Sequence, residues 1–311
     1  MEGKKSTKSK KVSNPSDTID IYAFQENHTL HTITYKYSTF DELIEQGEYN
    51  FFGIIYDASF PQEEPNLNNN SPKNNISKYS CILKLIDQTT NCLTNPNDFN
   101  DKIIYLIIKS NERENIPFVH NIGDIIRIQR GFYSPKKKRN IYLNVSKDNK
   151  LKGNWCLYHS NSNTNEPYLC SNKKYEVETQ DKDNIEGLKA WVKSYLSIDK
   201  SLKYPMQINL EQRNIEGNDK DLMVHVVKKL ETNDHLILFI QDDTDGCELH
   251  TYKYYNFIQE NDIIRVRSFK IFDNNNLIIN EFGNILVIPS NSSCCKVIIN
   301  ELTKKLKKLK E

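Results

Sequence analysis

The octapeptide GDIIRIQR begins at Gly123, and NDIIRVRS begins at Asn261. A second pair of segments accompanies them in the same order: LKLIDQTTN at 83–91 and LFIQDDTDG at 238–246, each an apolar stretch that closes on Asp-x-Thr. The two pairs are spaced unequally, and the excess falls in NCLTNPNDFNDK, a segment the first copy has and the second lacks. Two landmarks repeated in one order mark an internal duplication. The chain must therefore fold as two versions of one module.

That module reads as β-structure. Tyr49 to Ala58, Tyr79 to Ile86, Ile103 to Lys109, Ile125 to Gln129 and Ile141 to Val145 are rich in β-branched and aromatic residues and bounded by turn signals. After Asp183 the period changes, and Ile185, Leu188, Trp191, Val192, Tyr195 and Leu196 share one face of a helix of about 16 residues. Strands resume at Leu222 to Leu230, His235 to Ile240, Glu248 to Tyr255, Ile263 to Ser268 and Leu277 to Ile288. VIINELTKKLKKLKE then predicts a C-terminal amphipathic helix, with Val297, Ile298, Leu302 and Leu306 inward. The expected fold is mainly β: two tandem OB-fold barrels joined by an amphipathic helix, with a C-terminal helix. The boundaries expected are a disordered basic tail at 1–17, the first OB fold at 18–160, a linker with its helix at 161–204, and the second OB fold with the C-terminal helix at 205–311. The Asn-rich stretches 66–75 and 161–167 read as loops.

A length of 311 residues suits two modules. The formal net charge of +1 excludes a globally basic, histone-like protein, so any anion-binding surface is local. No apolar run reaches the roughly 18 residues of a membrane span, and the N-terminus lacks the apolar core of a signal peptide, which predicts a soluble, intracellular protein. Lys4, Lys5, Lys8, Lys10 and Lys11 read as a solvated tail, a nuclear localisation signal or a phosphate-binding arm. Seven cysteines, with no C-x-x-C pair and no metal-ligand spacing, argue against zinc and against a disulfide framework. The seven histidines fall in no recognisable catalytic or metal motif, and there is no Gly-rich phosphate loop. No enzymatic activity and no cofactor are expected.

An OB barrel offers a groove across its middle strands, whose usual ligands are single-stranded nucleic acids or oligosaccharides. Single strands need cations for phosphates and flat rings for bases. In RGFYSPKKKRNIY the fourth and fifth strands of the first module are joined through Arg130, Phe132, Tyr133, Lys136, Lys137, Lys138, Arg139 and Tyr142. That stretch is either a nucleic-acid contact or a lysine-rich hairpin tip kept soluble by its charge. Arg127 alternates with Ile126 and Ile128, and Arg265 and Arg267 alternate around Val266, so they point off the barrel core if their apolar neighbours point in. On the groove face they would bond phosphate or guanine, and on the other face they would pair with a neighbouring carboxylate; the sequence leaves both faces open. Asp87, Asp242 and Asp243 either accept hydrogen bonds from guanine or close Asp-x-Thr turns. Thr89 of the first such turn and Tyr252 of the second module complete the set read from the strands.

The segments KYSTFDELIEQGEYNFFGIIYDASFP (36–61), KYSCILKLIDQT (78–89), IPFVHNIGDIIRIQR (116–130), GLKAWVKSYLS (187–197), NDIIRVRS (261–268) and NLIINEFGNILVI (276–288) resemble, in order, the DNA-binding region of ciliate telomere end-binding protein alpha subunits and the related protection-of-telomeres proteins. The resemblance implies two OB folds that bind the single-stranded G-rich 3′ overhang by stacking bases on aromatics and reading guanine edges. It implies that Arg127, Arg130, Arg265 and Arg267 line the DNA groove, that Phe282 stacks a base, and that Asp87, Asp242 and Asp243 face the DNA. Phe60 belongs to the same set, although Gln62 stands where the family often has an aromatic after Phe60-Pro61. Ser146-Lys147 replaces an aromatic pair expected near the end of the fifth strand, with Tyr142 or Tyr133 as substitutes. The third OB fold through which the alpha subunit engages a partner has no counterpart in these residues, as in a fragment or a short paralogue. The function expected is capping of the overhang at nuclear telomeres, which protects chromosome ends and regulates telomerase access, with other telomere proteins as further partners. The alternatives are a general single-strand binder of replication and a telomere scaffold that does not bind DNA.

Overall fold

The structure is a computed structural model that describes residues 35–63, 77–90, 102–135, 139–145, 153–171, 179–198, 207–213, 220–273, 276–292, 295–296, 298–300 and 302–303. The basic tail, the 66–75 loop, Lys136 to Lys138, Ser146-Lys147 and much of the expected C-terminal helix lie outside the described residues. Helical backbone is present at 298–300 and 302–303. Among the described residues no helix is long and apolar enough to cross a membrane.

In the first module β1 (Gly47–Ala58) is followed by the short β2 (Gln62–Glu63), then β3 (Tyr79–Ile86), β4 (Ile104–Ser110), β5 (Ile125–Ser134) and β6 (Asn140–Val145). The ladder runs β1-β3-β4-β6-β5 and closes on β1, and within that ring only β4 and β6 are parallel. Two strands that the periodicity does not reveal, β7 (Asn154–Tyr158) and β8 (Leu169–Cys170), extend the sheet from β5. Helix α1 (Thr179–Ile198) buries Ile185, Leu188, Val192, Tyr195 and Leu196, the face that the 3.6-residue period predicts. After β9 (Gln207–Ile208), the strands β10 (Asp221–Glu231), β11 (His235–Gln241), β12 (Gly246–Tyr252), β13 (Ile263–Phe272) and β14 (Asn276–Ile288) repeat the closed order, again with one parallel pair, β12 with β14. The chain consists of two tandem OB folds. The strand expected to run to Tyr255 stops at Tyr252, where Lys253–Tyr255 turns into a 3-10 helix and buries Tyr255.

The duplication extends to individual torsions and hydrogen bonds. The first residue of each octapeptide, Gly123 and Asn261, has φ of 89° and 72°, a region that glycine enters freely and asparagine tolerates. The last residue of each, Arg130 and Ser268, also has positive φ, at 61° and 54°, and sits where the strand register shifts. Each barrel is plugged by a residue that opens a 3-10 turn ahead of its first strand, Phe40 and Leu210, both fully buried. The plug amides donate to Asp87 Oδ2 and Asp242 Oδ2, each at 2.6 Å.

The barrels meet at a buried ion cluster. Asp57, at the end of β1, lies against Arg265 and Arg267 of the second barrel and 3.2 Å from Lys84 of the first. Arg267 also binds Asp221 at 2.9 Å. Asn284 Nδ2 donates to the Ala58 carbonyl at 3.0 Å, and the Ile122 amide to the Val287 carbonyl at 2.9 Å. Met223, Ile263, Leu286 and Ile288 of the second barrel join the apolar cluster of the first. Burial alone would raise the Asp57 carboxyl, but Arg265, Arg267 and Lys84 outweigh it and hold its pKa at about 2. A depressed carboxyl contributes stability that is present above its ordinary value of about 4 and is lost as pH falls through the folded value. Asp57→Asn should destabilise the protein by about 3–5 kcal/mol in urea unfolding, because Arg265 loses its buried counter-charge. The same variant should lose part of the wild-type fall in stability between about pH 4 and pH 2.

Candidate nucleic-acid interface

Alternation along β3, β4 and β6 sends every second side chain out of the first barrel, and the register aligns them in rows. Lys84, Tyr105 and Asn140 form one row; Ile82, Ile107 and Tyr142 a second; Ser80, Lys109 and Asn144 a third. The middle row continues to Phe132 on β5, opposite Tyr142. Ile82 and Phe132 are 46% and 39% exposed, which leaves an apolar and aromatic stripe open to solvent between flanking lysines.

The second barrel presents the corresponding face. Leu230, Ile237, His250, Ile278 and Lys270 run as one row across five strands. Beside it lie Lys228, Phe239 and Glu248, with the Lys228 ammonium 5.8 Å from the Phe239 ring centroid. Phe272 sets its ring edge against His250 at 4.7 Å. At the barrel junction the exposed Tyr252 stacks on Tyr254 at 5.2 Å, and Tyr254 stacks on Phe60 at 5.8 Å. Flat surfaces of this kind, edged by cations, suit unpaired bases and the phosphates between them.

The structure divides the residues expected to contact DNA. Tyr142 and Tyr252 stand on these open faces, and Asp243 is exposed at the end of β11. Arg130 is partly exposed and pairs with Glu48 at 3.0 Å. Arg267 is partly exposed within the Asp57 and Asp221 cluster. Lys137 lies outside the described residues, as does the side chain of Phe282, whose backbone belongs to β14.

Seven of the residues expected at the site need correction. Arg127 does point off the barrel core, but helix α1 covers it, and its Nη1 binds Asp181 at 2.8 Å in full burial. Arg265, its equivalent in the second octapeptide, is covered by the first barrel and spent on Asp57. Both oxygens of Asp87 and of Asp242 accept bonds from within the protein: Oδ2 from the plug amide, Oδ1 from the amide and hydroxyl of Thr89 or Thr244. Thr89 is thereby a turn residue, its hydroxyl 2.6 Å from Asp87. Tyr133 is 4% exposed and belongs to the first barrel's core. Phe60 is buried in the second barrel's apolar cluster, where it contributes to the floor of the Tyr252–Tyr254 stack.

A model of the family described as telomeric single-stranded DNA binding POT1/CDC13 matches residues 32–202. The chain belongs to this family. Among its curated relatives, a telomere-binding protein homolog of Euplotes crassus is 26% identical over 256 residues, which cover 76% of this chain and 52% of the relative. The telomere-binding protein 51 kDa subunit of the same organism is 23% identical over 86% of this chain and 62% of its own length. The alpha subunit of Stylonychia mytilus telomere-binding protein is 21% identical over 82% of this chain and 53% of its own length. The chain thus spans about half the length of the curated relatives it matches. Among solved structures, fission yeast Pot1 with single-stranded DNA aligns with a TM-score of 0.37 at 13% identity, covering 87% of this chain and 93% of the other.

In this member of the family the barrel junction also carries an aromatic column that single-strand periodicity does not disclose. His159 stacks on Tyr168 at 3.9 Å, Tyr168 on His120 at 4.6 Å, and His120 on Phe257 at 4.0 Å, so the column passes from the first barrel to the second. Burial pushes the His120 imidazole down to about 4, against the opposite pull of the Asp124 carboxylate. The only hint in the sequence is the placement of FVHN just before the octapeptide. Because Asp87 is spent on the plug and its turn, Asp87→Ala should cost about 1–3 kcal/mol of stability in urea unfolding, the penalty for orphaning the buried Phe40 amide. The folded fraction of that variant should keep its ligand affinity within about twofold, measured at a temperature where it is fully folded.

Proposed function

We propose that this protein binds the single-stranded, G-rich 3′ overhang of telomeres across the outer faces of both barrels and caps it. Membership of the family and the solvent-exposed row Ile82, Ile107, Tyr142 and Phe132, with its counterpart in the second barrel, support this reading; the row is the observation that carries it. Tyr142, Phe132, Phe239, Phe272 and Tyr252 offer ring faces to bases, and Lys84, Lys109, Lys228, Lys270, Arg130 and Arg267 hold the phosphate path positive. Asp243 is the exposed carboxylate suited to accept from the guanine N1–H and N2–H2 groups. Phe282 keeps the base-stacking role that the family resemblance implies, and Lys137 the phosphate role read from the basic stretch that joins the fourth and fifth strands. A strand held along both faces would be shielded from nucleases and withheld from telomerase, at telomeres in the nucleus. No catalytic role is proposed.

Fluorescence anisotropy over a salt series tests this with a G-rich telomeric strand, its scrambled permutation, its C-rich complement and a duplex. The G-rich strand should bind most tightly, by a margin that persists at high salt, where phosphate contacts weaken for all ligands alike. Equal and steeply salt-dependent affinity for every single strand would make the protein a general single-strand binder, and absence of binding would reject the proposal. Tyr142→Ala should lose about 1–3 kcal/mol of single-strand affinity with its unfolding midpoint nearly unchanged, since the ring stands outside the barrel core.

A further inference from the structure

The short hairpin of β7 and β8 places two cysteines opposite each other: Cys156 pairs with Cys170 in the antiparallel ladder. The Ser171 amide donates to the Trp155 carbonyl at 3.0 Å, which makes 155 and 171 a hydrogen-bonded pair and 156 and 170 the adjoining non-hydrogen-bonded one. Facing Cα atoms in such a pair lie about 4.5 Å apart, with their side chains on the same face. That separation falls inside the window a disulfide requires. The two thiols are within hydrogen-bonding reach of each other, and both are free. Arg127 stands next in the row, paired with Cys156 across β5 and β7, and its Nη2 is 3.7 Å from Cys156 Sγ. Cys156 is buried, whereas Cys170 is partly open to solvent.

We propose that Cys156 and Cys170 form a reversible disulfide, a redox-modification site on the first OB fold that does not depend on DNA binding. The hydrogen bond from Cys156 lowers the Cys170 thiol pKa, and burial raises that of Cys156, so the exposed sulfur is the one that reacts first. With a hydroperoxide as oxidant, the Cys170 thiolate attacks one peroxide oxygen. The O–O bond breaks, the other oxygen leaves as water or alcohol, and Cys170 becomes a sulfenic acid. Cys156 sulfur then displaces the sulfenic oxygen as a second water, forming the S–S bond. Two thiols are oxidised by two electrons and one peroxide is reduced. The bond closes a loop of about 15 residues ahead of helix α1 and staples the hairpin beside the buried Arg127–Asp181 pair.

The test treats the full chain with hydrogen peroxide at about stoichiometric to tenfold excess, then digests it without reductant for mass spectrometry. A cross-linked peptide joining Cys156 to Cys170, lost on adding dithiothreitol, supports the site. The oxidised protein should also melt roughly 5–10 °C higher than the reduced one, the scale expected of a loop of this length. Cys170→Ser should abolish both effects and match the reduced wild type in melting temperature. Cys156→Ser should leave Cys170 as a sulfenic acid that dimedone traps. Cross-links formed only with other cysteines, or Cys170 driven to sulfinic acid without a bridge in the wild type, would overturn the proposal.

Discussion

The carboxylate of Asp57 is the point on which the two-barrel arrangement turns. It ends the first strand of the first barrel and is 3% exposed, yet it faces Arg265 and Arg267 of the second barrel together with Lys84 of its own. A buried charge of this kind is tolerated only when its partners are close and oriented. The two arginines stand on β13, which is held by β10 and β14, and Lys84 stands on β3. The relative placement of the two OB folds is therefore set by a polar contact that has one good geometry, with apolar packing of Met223, Ile263, Leu286 and Ile288 around it.

The duplicated octapeptide acquires a physical meaning from that contact. Its arginine, at position 127 in one copy and 265 in the other, is directed away from the barrel interior in both. In the first copy the unit that lands on it is helix α1, through Asp181; in the second it is the first barrel, through Asp57. One inherited position thus serves twice as an attachment point. The same economy governs the aspartates, since Asp87 and Asp242 each tie a plug to the end of a second strand by matching hydrogen bonds. Residues that look available for DNA are absorbed by docking and plugging, and the open faces are left to Ile82, Tyr142, Phe132, Phe239, Tyr252 and their neighbours.

Much of the architecture was legible in the amino-acid order. The period-2 pattern from Tyr79 to Ile86 coincides with the observed strand, and of the predicted apolar face of α1 Ile185, Leu188, Val192, Tyr195 and Leu196 are buried while Trp191 is partly buried. β7 and β8 escaped notice because NWCLY and LC are too short to show alternation, and they are strands only because β5 offers a partner edge. The end of β5 escaped for a different reason: the positive φ at Arg130 interrupts the strand with a bulge before it resumes to Ser134.

The candidate site divides along the same line. Sequence determined that Arg127, Arg265 and Arg267 leave the core, that Asp-x-Thr ends two equivalent strands, and that aromatic and basic residues accompany one another, because each of these depends on local periodicity and side-chain chemistry. Whether an outward residue meets water, another barrel or a helix is decided by elements distant in the chain. Asp57 and Arg265, or Arg127 and Asp181, come together only after both barrels have closed and packed, and no local pattern encodes that proximity. The amino-acid order therefore determined two OB folds and the kind of surface they carry. The tertiary structure alone decided which charges are buried in the joints and which rings remain open, because burial is a property of what packs on a face and not of the face itself.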